Sequence, residues 1–176
     1  NNTAVGHYAA SGSTSGTRVI AVGGGTVSAT NTGSFLVAIG HSALGANTSG
    51  GYNVAVGDSA LISNTTGASN VAVGFQSLDA NTTASNNTAV GYASLGANTT
   101  GTQNAAVGAE ALDANTTGNT NAALGIGSLG QNTTGDDNTA VGAFALTANT
   151  TASNNTAIGK FALLANTTGA YNTAVG

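Results

Sequence analysis

The chain of 176 residues carries a formal net charge of −4, with Arg18 and Lys160 as its cations, and it contains no Cys, Pro, Met or Trp. The lack of cysteine excludes disulfides and thiolate metal sites, and the lack of a basic stripe argues against a nucleic-acid partner. Its apolar runs are far shorter than the roughly 20 residues that a membrane-spanning helix needs, so we expect no membrane insertion of this segment.

A pentapeptide of the form Asn-Thr-Ala-Val-Gly recurs along the whole chain at an interval of 17 residues. A fixed period without insertions predicts stacked, nearly identical units. Residues 1–176 therefore form a single repeat array. Its units are 2–18, 19–35, 36–52, 53–69, 70–86, 87–103, 104–120, 121–137, 138–154, 155–171 and the partial unit 172–176. Because the chain starts and stops on the motif without capping units, we expect it to be a fragment of a longer chain.

The units become more regular along the chain. Units 2–18 and 19–35 are degenerate, and Gly23-Gly24-Gly25 widens the turn of the second. We number the period so that Asn87 is position 1 and Gly91 is position 5. Position 3 is then always Ala, position 4 is Val, Ile or Leu, and position 5 is always Gly. Position 9 is Leu and position 12 is Asn in eight consecutive units from residue 36 onward.

This period predicts an all-β fold. A unit of 17 residues is too short for a helical hairpin, and its Gly, Asn and Thr content disfavours helix. We expect one strand over positions 1–4, a tight turn at the Gly of position 5, a second short strand over positions 6–9, and a returning Asn-Thr-Thr-Gly loop. The result is a β-solenoid of about ten 17-residue coils, about 48 Å long at the spacing of β-strands.

Positions 3 and 4 must point to opposite faces of their strand. If the larger residue at position 4 fills the coil interior, the constant Ala at position 3 points outward. We then expect this Ala to pack closely against a neighbouring chain; the alternative is a cramped corner of its own coil. The resulting candidates for inter-chain contact are Ala55, Ala72, Ala89, Ala106, Ala123, Ala140 and Ala157.

Two rows of asparagine are expected to stack along the axis and to hydrogen-bond from coil to coil. The predicted ladder at position 12 comprises Asn64, Asn81, Asn98, Asn115, Asn132, Asn149 and Asn166. These residues and Asn47 also head Asn-x-Ser/Thr sequons, as do Asn1, Asn86 and Asn154. The sequons could carry a row of sugars in a glycosylating organism, but turn chemistry is the favoured interpretation.

The aromatic and charged residues occupy only a few positions of the period, which we interpret as surface rows. Phe144 and Phe161 share one row in consecutive coils and are candidates for contact with a receptor, although neutral surface residues are the simpler interpretation. Asp79 and Asp113 share position 10 two coils apart, about 9.6 Å, too far to hold one cation. We find no catalytic set, metal site or cofactor motif, and we expect no enzyme activity.

The motif Asn-Thr-Ala-Val-Gly-x-x-Ala-Leu resembles the head repeats of YadA-like trimeric autotransporter adhesins. With Asn-Thr-Thr-Gly, it also looks like 17-residue arrays of tail-fibre-type surface proteins. The resemblance implies a left-handed parallel β-roll, a homotrimer, and an extracellular, cell-surface or virion location. The adhesin unit is usually shorter, so a single-chain solenoid or an end-to-end filament stays open.

Taken together, these features predict a structural or adhesive fibre segment that acts as a rigid shaft or adhesin head. A first alternative is a module that binds a host or surface receptor through exposed aromatic residues. A second is an ice-binding solenoid that uses the Thr rows at positions 13 and 14.

Overall fold

The computed structural model describes residues 1–176 as stacked coils, each with one short strand, and contains no helix. The strands are β1 (Thr3–Val5), β2 (Val19–Val22), β3 (Leu36–Ile39), β4 (Val54–Val56), β5 (Val71–Val73), β6 (Thr88–Val90), β7 (Ala105–Val107), β8 (Ala122–Leu124), β9 (Thr139–Val141), β10 (Thr156–Ile158) and β11 (Thr173–Val175). They form one 11-stranded parallel sheet in chain order. The predicted β-solenoid with 17-residue coils is confirmed.

The strands pair in register, so every residue lies beside the same position of the next coil. In β4 and β5, for example, Val54 pairs with Val71 and Ala55 with Ala72. The register follows from the constant period, because equal coil lengths bring equal positions together at one strand spacing. Each position of the repeat therefore becomes a straight row of neighbouring side chains.

Glycine at position 5 is required both by the backbone conformation and by the available space. Gly91 has φ +136, a region that residues with a side chain rarely adopt. A Cβ at this position would lie 2.5 Å from the carbonyl oxygen of Gly108 in the next coil. The glycine thus ends the strand at a point where successive coils leave no room for a side chain.

The predicted second strand over positions 6–9 is wrong. This segment is a series of turns, because positions 7 and 9 adopt left-handed φ values, as at Ala93 (φ 49) and Leu95 (φ 53), that an extended strand does not allow. Hydrogen bonds between coils nevertheless continue through it: the Leu95 N–H donates to the Ala111 carbonyl at 3.0 Å. The coil therefore closes through a hydrogen-bonded turn.

The predicted orientation of the strand is also wrong. The position-3 side chains point into the coil: Ala55, Ala72, Ala89, Ala106, Ala140 and Ala157 are fully buried, and Ala123 is 3 % exposed. The aliphatic residue at position 4 points outward instead. Inside the coil the alanines pack with the Leu row at position 9, such as Leu95. In the eight units with leucine at position 9, this leucine occupies much of the narrow interior, which leaves room for only a methyl group at position 3.

The interior of the solenoid is thin and partly polar. Its apolar part is one continuous cluster of alanines at positions 3 and 8 with the leucines at position 9. Asparagines at positions 1 and 12 complete it and are fully or almost fully buried through most of the array. No helix in the structure could cross a membrane.

Candidate functional site

The outward side of the sheet is an uncharged, largely aliphatic strip with threonines in one of its two rows, which we call the outer sheet face. It consists of the residues at positions 2 and 4 of every coil. Position 2 comprises Thr3, Ile20, Val37, Val54, Val71, Thr88, Ala105, Ala122, Thr139, Thr156 and Thr173. Position 4 comprises Val5, Val22, Ile39, Val56, Val73, Val90, Val107, Leu124, Val141, Ile158 and Val175. No charged residue occurs in either row.

Nothing in the chain covers this face. Leu124 is 52 % exposed and Ile158 is 42 % exposed, while both are flanked by buried alanines on the inner face. Parallel sheets are found almost only with both faces covered, and their strands then read as continuous apolar runs. The Val-Ala-Val pattern of β4 and β5 fits such a strand, although only its inner face is covered here.

The position-12 asparagines form the predicted ladder inside the turn. Asn98 Nδ2 donates to Asn81 Oδ1 at 3.2 Å, and Asn115 Nδ2 donates to Asn98 Oδ1 at 2.9 Å. The other members, Asn64, Asn132, Asn149 and Asn166, bond in the same way. The ladder also includes Asn31, which lies one position later in its unit and accepts from Asn47 Nδ2 at 2.8 Å. That offset is why the sequence did not show it.

The position-1 asparagines fasten the sheet to the returning loop. Asn87 Nδ2 donates to the Gly101 carbonyl of its own coil at 2.8 Å. Its Oδ1 accepts from the Asn104 backbone N–H of the next coil at 2.9 Å. Each amide thus joins two segments of one coil and two successive coils. From Asn104 onward the expected side-chain stack is present as well: Asn121 Nδ2 donates to Asn104 Oδ1 at 3.2 Å, and Asn138 Nδ2 donates to Asn121 Oδ1 at 3.1 Å.

Six of the eight aromatic residues stack in three pairs along the axis. Phe144 and Phe161 have ring centroids 5.8 Å apart and nearly parallel planes, and the Lys160 ammonium lies 4.8 Å from the Phe161 centroid. Phe35 stacks on Tyr52 at 4.6 Å in the same way. Within each pair, stacking covers one face of each ring.

A shallow depression of about 180 Å³ lies beside the first of these pairs. Its lining is Glu110, Asp113, Gly127, Gly130, Gln131, Phe144 and Thr147. The depression exists because two glycines of one coil leave a gap between the acids of the coil before and the side chains of the coil after. The depression was not predicted from the sequence, although Gly127 and Gly130, three residues apart in one unit, could have indicated it.

The acids near this depression repel one another. Partial burial raises the pKa of Asp113, and the nearby carboxylates of Glu110 and Asp79 raise it further. Burial also raises the pKa of Asp79. Both carboxylates lean over Gly96, where an added Cβ would lie 2.8 Å from Asp113 Oδ1 and 3.5 Å from Asp79 Oδ1. The two groups therefore approach more closely than two coil spacings suggest.

The structure contains no group of three or more His, Cys, Asp or Glu side chains that could hold a metal ion. One His–Asp contact joins His41 Nδ1 and Asp58 Oδ2 at 3.8 Å on the surface, because both residues lie at position 6 of consecutive coils. Comparison of the chain with protein-family models, with curated proteins and with solved structures found no match. The outer sheet face is therefore the feature from which a function has to be argued.

Proposed function

We propose that this chain is a segment of a fibrous surface protein, in which copies of the solenoid associate side by side through the outer sheet face. The supporting observation is that face itself: an uncharged and largely aliphatic face of a parallel sheet whose side chains stay partly or largely exposed over every coil. In such an assembly the segment acts as a rigid shaft or adhesive head. The hydrogen bonds along its axis supply the rigidity.

The size of the face supports association. The outer sheet face has an area of roughly 500 Å² per copy. This follows from eleven strands spaced about 4.8 Å apart and from two rows of side chains about 7 Å apart, with the width of the side chains added. This area is near the upper end of the apolar patches of monomeric proteins, and a stable interface buries about 800 Å² per partner. We therefore propose that association extends to the flanking row at position 6 and leaves the row at position 17 at the edge of the interface.

Three copies about a common axis are the arrangement we favour, because the sequence resembles head repeats of trimeric adhesins. The same resemblance is the basis for an extracellular location, on a cell surface or a virion. We now propose the aliphatic residues of position 4 as the partner surface, in place of the alanines of position 3. The alanines are covered by their own chain and cannot contact another.

The oligomeric mass of the purified segment tests the proposal. We expect association of the wild type in analytical ultracentrifugation and loss of it when Val107 and Leu124 are both changed to Lys. Both side chains are already partly exposed, so the coil tolerates the change. The matched control changes Thr100 and Thr117 to Lys, which adds the same charge in the exposed Asn-Thr-Thr-Gly turn. A monomeric wild type, or equal masses of the two variants, would contradict the proposal.

Receptor binding through aromatic residues is the second candidate. It is supported by the exposure of Phe144 (36 %) and Phe161 (47 %) next to the acid-lined depression. Changing both to Ser should abolish adhesion of particles coated with the segment to cells, while the oligomeric mass stays as in the wild type. Adhesion that survives this change would leave the shaft as the remaining function.

Ice binding through the Thr rows has less support. The hydroxyls of position 13 donate to carbonyls of the next coil, as Thr99 Oγ1 does to Thr116 at 3.0 Å. Only the threonines of position 14 stand exposed without a side-chain hydrogen bond, and they form a single row. Freezing hysteresis that is unchanged by Thr→Val substitutions at both positions would exclude this use of the rows.

A further inference from the structure

The fold divides the Asn-x-Ser/Thr sequons of the chain into two sets. In eight of them the asparagine is at position 12, inside the ladder. In the other three, Asn1, Asn86 and Asn154, it is at position 17. Because rows of the solenoid are straight, these three share one column of the surface. The sequence motif is the same in both sets, but the surroundings of the amide differ completely.

A ladder amide has no free proton and no free space. Asn98 is fully buried, and its Nδ2 uses both protons, one toward Asn81 Oδ1 at 3.2 Å and one toward the Gly101 carbonyl at 3.0 Å. A single carbon added at Gly101 would lie 2.5 Å from Asn98 Oδ1 and 2.9 Å from Asn115 Nδ2. A sugar ring attached to this nitrogen cannot fit into the folded coil.

The column at position 17 is the opposite case. Asn86 and Asn154 are exposed, have left-handed φ values of 63 and 62, and make no side-chain hydrogen bond. The threonine of each sequon, Thr88 or Thr156, lies two residues later on the outer sheet face, where it is partly exposed. The amide and the hydroxyl that a sequon-specific transferase recognises are both on the surface.

We propose that the position-17 asparagines are the sites at which the folded array can carry N-linked glycans, and that a glycan on a ladder asparagine is incompatible with folding. In the transfer, Asn Nδ2 forms a bond to the anomeric carbon of an activated glycosyl donor. The carbon–oxygen bond to the donor's phosphate leaving group breaks, and Nδ2 loses one proton. A ladder amide would have to give up a buried hydrogen bond to supply that proton.

The first test uses the folded protein, UDP-glucose and a soluble N-glycosyltransferase specific for Asn-x-Ser/Thr. Mass spectrometry of proteolytic peptides should find one hexose at Asn86 and one at Asn154. Occupancy at Asn98 should be lower by at least about a hundredfold, because the amide becomes accessible only in rare local opening. Synthetic peptides that span each sequon serve as reference and should react at every site.

Two results would overturn the proposal here. One is equal modification of Asn98 and Asn86 in the folded chain. The other is failure of Asn86 and Asn154 to react while their peptides do.

The second test uses a secretory cell that glycosylates nascent chains, where ladder sequons are accessible before the coils close. Its control variant changes Ser49 and the threonines at position 14 to Ala. These side chains are exposed and make no hydrogen bond, so the change removes the ladder sequons without touching the ladder. In the wild type, we expect glycans on ladder asparagines only in chains that the cell retains and that are sensitive to protease. We expect the variant to be secreted with glycans at Asn86 and Asn154. Secreted, protease-resistant wild type with occupied ladder sites would refute the proposal.

Discussion

Replacing Asn98 by Ala tests how much the asparagine ladder contributes to the solenoid. Asn98 lies in the middle of the array and is fully buried. It takes part in three hydrogen bonds: its Nδ2 donates to Asn81 Oδ1 and to the Gly101 carbonyl, and its Oδ1 accepts from Asn115 Nδ2. Alanine keeps the backbone conformation and removes all three.

The cost follows from the partners that remain. Asn81 Oδ1 loses the donor that reaches it, and one Asn115 N–H loses its acceptor, whereas the Gly101 carbonyl still accepts from Asn87 Nδ2 at 2.8 Å. An unsatisfied buried polar group costs about 1–3 kcal/mol. Two such groups lower the free energy of unfolding by about 2–6 kcal/mol. Because a solenoid is held by nearest-neighbour contacts, we expect the substitution to weaken the coupling between the coils on either side of Asn98.

Equilibrium unfolding in urea, followed by circular dichroism, measures the change. Hydrogen exchange detected by mass spectrometry then locates it, and we expect faster exchange in units 70–86, 87–103 and 104–120 than in distant units. Thr100→Ala is the matched control, because it lies in the same turn, is exposed and makes no side-chain hydrogen bond. An Asn98→Ala variant within about 0.5 kcal/mol of the control, the range of ordinary surface substitutions, would refute the ladder as a stabilising element.

Two further predictions concern the interior and the acidic row. Ala89→Leu should overfill the coil and lower the free energy of unfolding, measured in urea, by about 1–3 kcal/mol. Val90→Leu on the outer face should leave this free energy unchanged. Equal effects of the two substitutions would contradict the inward orientation of Ala89. For Asp79 and Asp113 the folded pKa lies above the ordinary 3.8, so stability is greatest below that value and falls as the pH rises through the folded pKa. Changing both to Asn should raise the melting temperature at pH 7 and flatten its rise toward pH 4. Asp137→Asn, at an exposed carboxyl without a side-chain partner, is the control, and an unchanged pH profile in the double variant would exclude this account.

Much of the fold could be predicted because every period folds into the same coil. The interval of 17 residues required coils in register, and Gly91 and its equivalents marked the point where each strand ends. Identical asparagines one coil apart predicted the ladder, since an amide carries both a donor and an acceptor for its own copy. These inferences needed only neighbours that the repeat itself specifies.

The orientation of the strand could not be predicted in this way. Alternation states that Ala89 and Val90 face opposite sides, but it does not state which side is inward. That choice depends on Leu95, which reaches the same interior from the turn and leaves space for a methyl group. The assumption that the larger residue is buried ignored this competition for volume. The outer sheet face was therefore visible only after the coil was closed.

The same distinction holds for the other features of the surface. The sequence alone determined the repeat, the coil length and the absence of charge from the strand rows. Only the tertiary structure decided which sequons are sealed in the ladder, and how Gly127 and Gly130 open a depression between Glu110 and Phe144. The physical reason is that a period specifies what lies above and below each residue. What lies across the coil depends on how the turns fill the interior.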